Sequence, residues 1–255
     1  MSYYAFWGGL PQIALLDDEA KKRRYLQNLY ASTYLRDIVE RNGVKNDDGL
    51  RDVVRVLTSS IGAPANPKRI ANTFASVEGK NITNKTIDSY IRYLEDAFLL
   101  NEALRYDVKG RKYIGTETKY FFTDIGLRNA ILGFRQQEPA HIMENIIYNE
   151  LLMRGYQVDV GMVEQWGADG QGKRSRLRLE IDFVLNRDEE RIYVQSAYSL
   201  PTTEKSEQEQ RPLNSVGDSF RKVIIVGDDM KTWTNEQGIR IISLWDFLLG
   251  IENIE

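Results

Sequence analysis

From Arg176 to Leu185 apolar and polar positions alternate. Leu177, Leu179, Ile181, Phe183 and Leu185 fall on one side, and Arg176, Arg178, Glu180, Asp182 and Val184 on the other. A period of two predicts a strand with its apolar set on one sheet face and both carboxylates on the opposite face. Arg191–Tyr198 predicts the next strand. Upstream, His141–Arg154 carries Ile147, Tyr148 and Leu151 at helical steps from Glu144 and stops at Gly155. Strands over Tyr156–Val163, Lys222–Gly227 and Ile239–Ser243, with helices near Glu204–Leu213 and Leu244–Leu249, complete an α/β sandwich pattern over residues 135–255.

The preceding residues change period. Leu50, Val53, Val54 and Leu57 fall at i, i+3, i+4 and i+7, which predicts a helix closed near Gly62. Asn66-Pro67 opens a second helix that ends at Gly79. Thr83 caps a third, with Ile87, Tyr90, Ile91, Leu94 and Phe98 on one face. Strand-like runs Ala103–Val108 and Arg111–Ile114, joined at Lys109-Gly110, follow, with Tyr120–Phe122 after them. Three helices and a hairpin are the order of a winged helix-turn-helix over residues 48–134. Residues 1–47 read as a helical linker segment with a stripe of Leu26, Tyr30 and Tyr34. The fold class expected is therefore mixed, α+β or α/β: a helical segment, a winged helix and a sandwich.

Composition narrows the chemistry. The 255 residues are 42% hydrophobic and 28% charged, as in a soluble globular protein. The net charge of −3 argues against non-specific polyanion binding by the whole molecule but leaves a local basic patch open. Without cysteine, and with His141 the only histidine, disulfides, zinc–thiolate sites and two-histidine metal sites are excluded. No apolar run reaches membrane-span length and Met1–Leu10 lacks a basic region before an apolar stretch, so a cytoplasmic location with no membrane partner is expected.

Helix carboxylate, strand carboxylate and a following strand are the ingredients of a metal-dependent nuclease core. Glu144, Glu180 and Asp182 are the metal candidates, magnesium being the hard cation such oxygens suit. The competing reading is an ion pair of Glu144 with Arg176 or Arg178, since an inward carboxylate needs a partner. A second acid and a lysine belong two residues apart on the next strand, where Gln195 and Ala197 stand. Gly167–Lys173 has phosphate-loop spacing, but Arg174 replaces the hydroxyl residue and a strand follows instead of a helix, so a glycine-rich turn is expected and no ATP site. Lys109, Arg111 and Lys112 at the hairpin tip, with Lys85 and Arg92 on the preceding helix, are the nucleic-acid candidates; solubility or a protein contact explains them equally. Trp7, Trp166, Trp233 and Trp245 read as packing residues.

Several ordered runs carry a resemblance: F-W-G-G-L-P (Phe6–Pro11), Y-L-R-D-I-V-E-R (Tyr34–Arg41), T-I-D-S-Y-I-R-Y-L-E-D-A-F-L-L (Thr86–Leu100) and R-Y-D-V-K-G-R-K (Arg105–Lys112). K-Y-F-F-T-D-I-G-L-R-N (Lys119–Asn129), E-N-I-I-Y-N-E-L-L-M-R-G-Y (Glu144–Tyr156) and E-I-D-F-V (Glu180–Val184) continue it. Together they resemble the C-terminal region of a family of bacterial and archaeal AAA-type ATPases, over nearly the whole chain. The resemblance implies a winged helix followed by a domain similar to PD-(D/E)XK nucleases. It places Glu144 at the helix glutamate, Asp182 at the first strand aspartate, and Gln195 and Ala197 at the second acid and lysine. It implies ATP only through an ATPase domain upstream of this region, which is itself an expected partner alongside nucleic acid. Because alanine cannot orient water, the expected role is a non-catalytic recognition or regulatory module. The alternatives are a magnesium-dependent nuclease drawing a lysine from elsewhere, such as Lys222, and a protein–protein adaptor.

Overall fold

The computed structural model describes residues 2–79, 81–135, 138–168 and 174–254. The fold is mixed α and β, with helices and one eight-stranded mixed sheet. The chain divides into two compact units. Unit 1 comprises Met1–Glu102 and Thr116–Ile146, and unit 2 comprises Ala103–Gly115 and Ile147–Glu255.

Unit 1 opens with α1 (Ser2–Trp7), α2 (Pro11–Ala14) and α3 (Glu19–Asn28). A π-helical segment, Leu29–Leu35, joins α3 to α4 (Arg36–Asn42). Of the expected Leu26, Tyr30, Tyr34 stripe Leu26 is buried and Tyr30 is partly so. Wider π winding shifts the phase by one residue, so Leu35 is buried and Tyr34 only partly so. Of α5 (Asp47–Ser59), α6 (Pro67–Thr73) and α7 (Asn84–Asp96), the last two begin where the sequence puts them, and α5 begins ahead of its apolar run, each on a local cap. Asn46 accepts from Gly49 N at 3.0 Å, Asn66 from Arg69 N at 2.7 Å and Thr83 from Thr86 N at 3.2 Å. The run expected to continue to Gly79 leaves α geometry after Thr73 and passes through a π-helical Phe74–Glu78. Ile70, Phe74, Leu50, Val53, Leu57, Ile87, Ile91 and Leu94 are buried.

Strands β1 (Leu100–Asp107) and β2 (Lys112–Phe122) run through both units; β2 is continuous where two separate runs were expected. Ala65 bridges to Thr118 on β2, with Ala65 N donating to Thr118 O at 2.8 Å. Then come α8 (Ile125–Ile131) and α9 (Pro139–Met153). In unit 2 follow β3 (Gln157–Ala168), β4 (Arg174–Arg187), β5 (Glu190–Ala197), α10 (Thr203–Asn214), β6 (Arg221–Val226), β7 (Trp233–Thr234), β8 (Arg240–Ser243) and α11 (Leu244–Leu248). The sheet order is β2-β1-β3-β4-β5-β6-β8-β7. Pairings β1–β3, β5–β6 and β6–β8 are parallel, and β3–β4, β4–β5 and β7–β8 antiparallel. Leu213 of α10 packs on Ile181, Val184, Tyr193, Ala197, Ile224 and Ile241 to form the core on one sheet face.

Two of the motifs far apart in sequence meet in unit 1. Asp124 caps α8 through Leu127 N at 2.8 Å and accepts from Gly9 N at 2.8 Å with its other oxygen. Gly8 sits at φ +76, and a Cβ there would fall 2.4 Å from the Asp124 carboxylate. Asn129 donates to Phe6 O at 2.9 Å. Gly8 of F-W-G-G-L-P lets this loop lie against T-D-I-G-L-R-N. Trp7 is buried, as expected of a packing residue, whereas Trp233 and Trp245 are exposed.

Candidate functional site

The alternation read along β4 does not survive intact. On β3 Asp159 and Gly161 are two residues apart, but their partners on β4, Val184 and Ile181, are three apart. The extra residue makes a β-bulge at Asp182–Phe183, and a one-residue slip exchanges faces. Ile181 and Val184 therefore share the α10 face, while Phe183, expected beside Ile181, packs on Tyr148 of α9 with ring centroids 6.2 Å apart. Gly161 permits the bulge. A Cβ on it would stand 2.8 Å from Val184 Cγ2 and 2.9 Å from Ile181 Cβ. A lone glycine inside a strand pattern was the signal for this in the sequence.

At the bulge β4 and β5 part. Their backbone ladder runs from Arg187–Glu190 to Phe183–Val194 and goes no further, although β5 stays paired with β6 through Ala197–Val226. Side chains take over at the fork. Ser196 N donates to Asp182 Oδ2 at 2.8 Å, and Asp182 N donates to Gln195 Oε1 at a long 3.4 Å. Gln195, 7% exposed, also donates from Nε2 to Glu209 Oε2 of α10 at 3.4 Å, and Lys205 Nζ holds Glu209 Oε1 at 2.5 Å. Ala197, at the expected lysine position, is 2% exposed within the apolar core. Lys222 stands opposite Tyr193 rather than at the level of Gln195, and its ammonium donates to Val216 O at 3.4 Å. Glu180 is ion-paired with Arg105 of β1.

Glu144 belongs to unit 1 and has partners there. Lys119 Nζ lies 2.7 Å from its Oε1, with side chains only 4% and 9% exposed, and His141 Nδ1 is 3.6 Å from its Oε2. The hydrogen bond to Glu144 raises the His141 pKa above its ordinary value, against the opposing effects of burial and of Lys119. Gly62, at φ +70, makes room, since a Cβ would stand 2.9 Å from Glu144 Oε2. The arginine partners expected for Glu144 are thus replaced by a lysine and a histidine. Arg176 and Arg178 instead reach Glu164, at 3.3 and 3.4 Å, because they face it across the β3–β4 ladder. The next residue, Asn145, is fully buried and pairs with both polar groups of Phe122. It accepts from N and donates to O, each at 2.7 Å. Lys119, Asn145, Lys205 and Glu209 were not among the residues singled out from sequence, where nothing marks a partner so far along the chain. Among the described residues no three His, Asp or Glu side chains gather as a metal site requires.

The nucleic-acid candidates divide between the units, with Lys85 and Arg92 in unit 1 and Lys109, Arg111 and Lys112 in unit 2. Arg92 pairs with Asp88 one turn away. Lys109 donates to Glu164 O at 3.2 Å, and Arg111 takes the left-handed conformation at φ +50. Gly110 lies too close to Asp107 for any side chain, its N donating to Asp107 Oδ1 at 2.9 Å. Most of the Gly167–Lys173 loop lies outside the described residues.

The mixed architecture and the engaged polar groups define an α+β protein, with no helix among the described residues long and apolar enough to cross a membrane. Residues 1–138 match the family described as Domain of unknown function (DUF8612), and the chain belongs to that family. It is 36% identical over 248 residues to an uncharacterized protein of Haemophilus influenzae, covering 97% of this chain and 57% of that protein. It is 26% identical over 244 residues to an uncharacterized protein of Methanocaldococcus jannaschii, covering 94% of this chain and 50% of that one. The chain thus spans about half the length of these relatives. A crystal structure of a Vibrio cholerae protein, VC1899, aligns with 94% of this chain and 54% of its own at 12% identity, with a TM-score of 0.27, too low to define a shared fold.

Proposed function

We propose that this chain is a non-catalytic recognition or regulatory module, similar to the C-terminal region of AAA-type ATPases and built from a winged helix and a nuclease-like sandwich. One observation carries the reading: the groups that would perform hydrolysis are engaged in holding the fold. Asp182 closes the β4–β5 fork, Glu180 pairs with Arg105, Glu144 pairs with Lys119, and the lysine position is a core alanine. A nuclease of this type needs carboxylates free to hold magnesium and a cation beside the attacked phosphate.

The order α5, α6, α7, β1, β2, with Ala65 bridged to β2, supports a winged helix. Relatives of about twice this length leave room in those proteins for a further domain, which agrees with the ATPase reading. Charge on α7 favours a protein partner over a phosphate backbone. Arg92 is neutralised by Asp88, and Glu95, near Glu102 and Asp96, has its pKa raised to about 7, mainly by burial.

The test is a cleavage screen of single- and double-stranded DNA and RNA with magnesium, run beside Asp182→Ala. No turnover above background is expected. Magnesium-dependent cleavage that disappears in the variant overturns the proposal in favour of a nuclease.

A further inference from the structure

Unit 1 contains an open cleft of about 730 Å³, within the range of small-molecule sites. Its walls come from α3 (Gln27), α5 (Asp52, Arg55, Val56, Ser59) and the end of α8 with the turn after it (Ile131, Leu132, Arg135). The polar groups are of two kinds. Arg55 is ion-paired with Asp52 at 3.5 Å, with its own side chain 67% exposed, and Arg135 forms no ion pair among the described residues. Opposite in character are acceptors. Asp52 is a carboxylate whose side chain is 11% exposed, and Ser59 donates its hydroxyl proton to Val56 O at 3.0 Å and keeps its lone pairs. Val56, Ile131 and Leu132 supply apolar surface.

Two guanidiniums on one cleft present more donors than a single carboxylate can fill, whereas a phosphomonoester offers three terminal oxygens and nearly two charges. The carboxylate and the serine oxygen suit hydroxyl donors on the same guest. We propose that this cleft binds a phosphorylated, hydroxyl-bearing small molecule, a sugar phosphate or nucleoside monophosphate. Its phosphate lies between Arg55 and Arg135, and a hydroxyl donates to Asp52. The site is separate from the β4–β5 fork and does not depend on the reading given to it.

The experiment is calorimetric titration of the full chain with inorganic phosphate, ribose, ribose 5-phosphate and adenosine monophosphate. One or both of the phosphorylated organic probes are expected to saturate, ribose to give no heat of binding, and inorganic phosphate to bind about tenfold or more weakly. A preference between the two organic probes distinguishes a sugar phosphate from a nucleotide. Arg55→Gln and Arg135→Gln are each expected to weaken binding about tenfold, and Arg51→Gln, on the same helix but outside the cleft, to leave it unchanged. Both cleft arginines are exposed, so the variants fold, and Arg135 lies outside any helix should Arg55→Gln disturb α5. Asp52→Asn is expected to erase the advantage of the organic probes over inorganic phosphate. No saturation by any phosphorylated probe at millimolar concentration, equal affinity for inorganic phosphate in the native chain, or full affinity in the two arginine variants overturns the proposal.

Discussion

Replacing Lys119 by Met tests whether Glu144 is a structural residue. The pair is almost closed to water, with 4% and 9% of the side chains exposed and 2.7 Å between Nζ and Oε1. Methionine keeps the length of the lysine stem and removes the charge, so a buried carboxylate loses its main partner. Breaking a buried pair from one side costs about 3–5 kcal/mol. At roughly 2–4 °C per kcal/mol for a chain of this size, the melting temperature falls by about 6–20 °C. His141 modifies the loss with pH. Its pKa is raised in the folded protein, so its stabilising contribution is complete below the ordinary value of about 6.5 and disappears as pH rises through the raised value. Below that range imidazolium still faces Glu144, so Lys119→Met costs less at pH 6 than at pH 8. Lys119 itself holds the His141 pKa down, so the variant raises it further. With one histidine in the chain, a single imidazole resonance followed by proton NMR reports this directly. The double variant Lys119→Met/Glu144→Met is expected to regain most of the lost stability, since two apolar side chains replace the pair. A loss below about 1 kcal/mol at pH 8, with the His141 titration unmoved, refutes the structural role.

Gly161→Ala is expected to cost about 1–3 kcal/mol in chemical denaturation, because its Cβ has no room between Val184 and Ile181. Gly217→Ala, with open space around it, is the control, and equal effects would remove the bulge argument. Glu95→Gln is expected to raise the melting temperature at pH 8 and not at pH 4. A carboxyl whose pKa rises from 4.5 to about 7 on folding contributes its stability below the lower value and loses it as pH climbs through the higher. The opposite pH trend would show that burial and its acidic neighbours do not govern it. If the hairpin tip contacts duplex DNA, replacing Lys109, Arg111 and Lys112 by Ala flattens the slope of log affinity against log salt by up to ~3 units, and an unchanged slope leaves the tip without a phosphate role.

The sequence discloses helices where their causes are neighbours in the chain. Asn66 and Thr83 each cap a helix whose bonding partner lies three residues on, so α6 and α7 start where the pattern puts them, and Asn46 caps α5 in the same way. The π-helical stretches are hidden because the residues remain helical in composition and only the bond pattern changes. The motif F-W-G-G-L-P is visible as a cluster of glycines, but its reason, an Asp124 carboxylate shared between Gly9 and Leu127, lies more than a hundred residues away.

The fork at Asp182 shows why candidate sites are harder to read than candidate elements. Period two assigns a residue to a face only while the ladder is regular, and regularity is a property of two strands. Here Gly161, on β3, sets the phase of β4, and a reading of β4 alone carries the alternation one residue too far. Chemistry suffers the same limit. An inward carboxylate such as Glu144 needs a partner, yet the partner is chosen by topology. Glu180 finds Arg105 at a distance of 75 residues, and Glu144 finds Lys119 at 25, while the nearer-looking Arg176 and Arg178 face Glu164 across the ladder. Two carboxylates with cationic partners and a third bound to a backbone amide are costly to withdraw for work on a substrate, most of all Glu144, whose pair with Lys119 is buried. That cost, more than the missing lysine at Ala197, is the physical ground for expecting recognition rather than turnover.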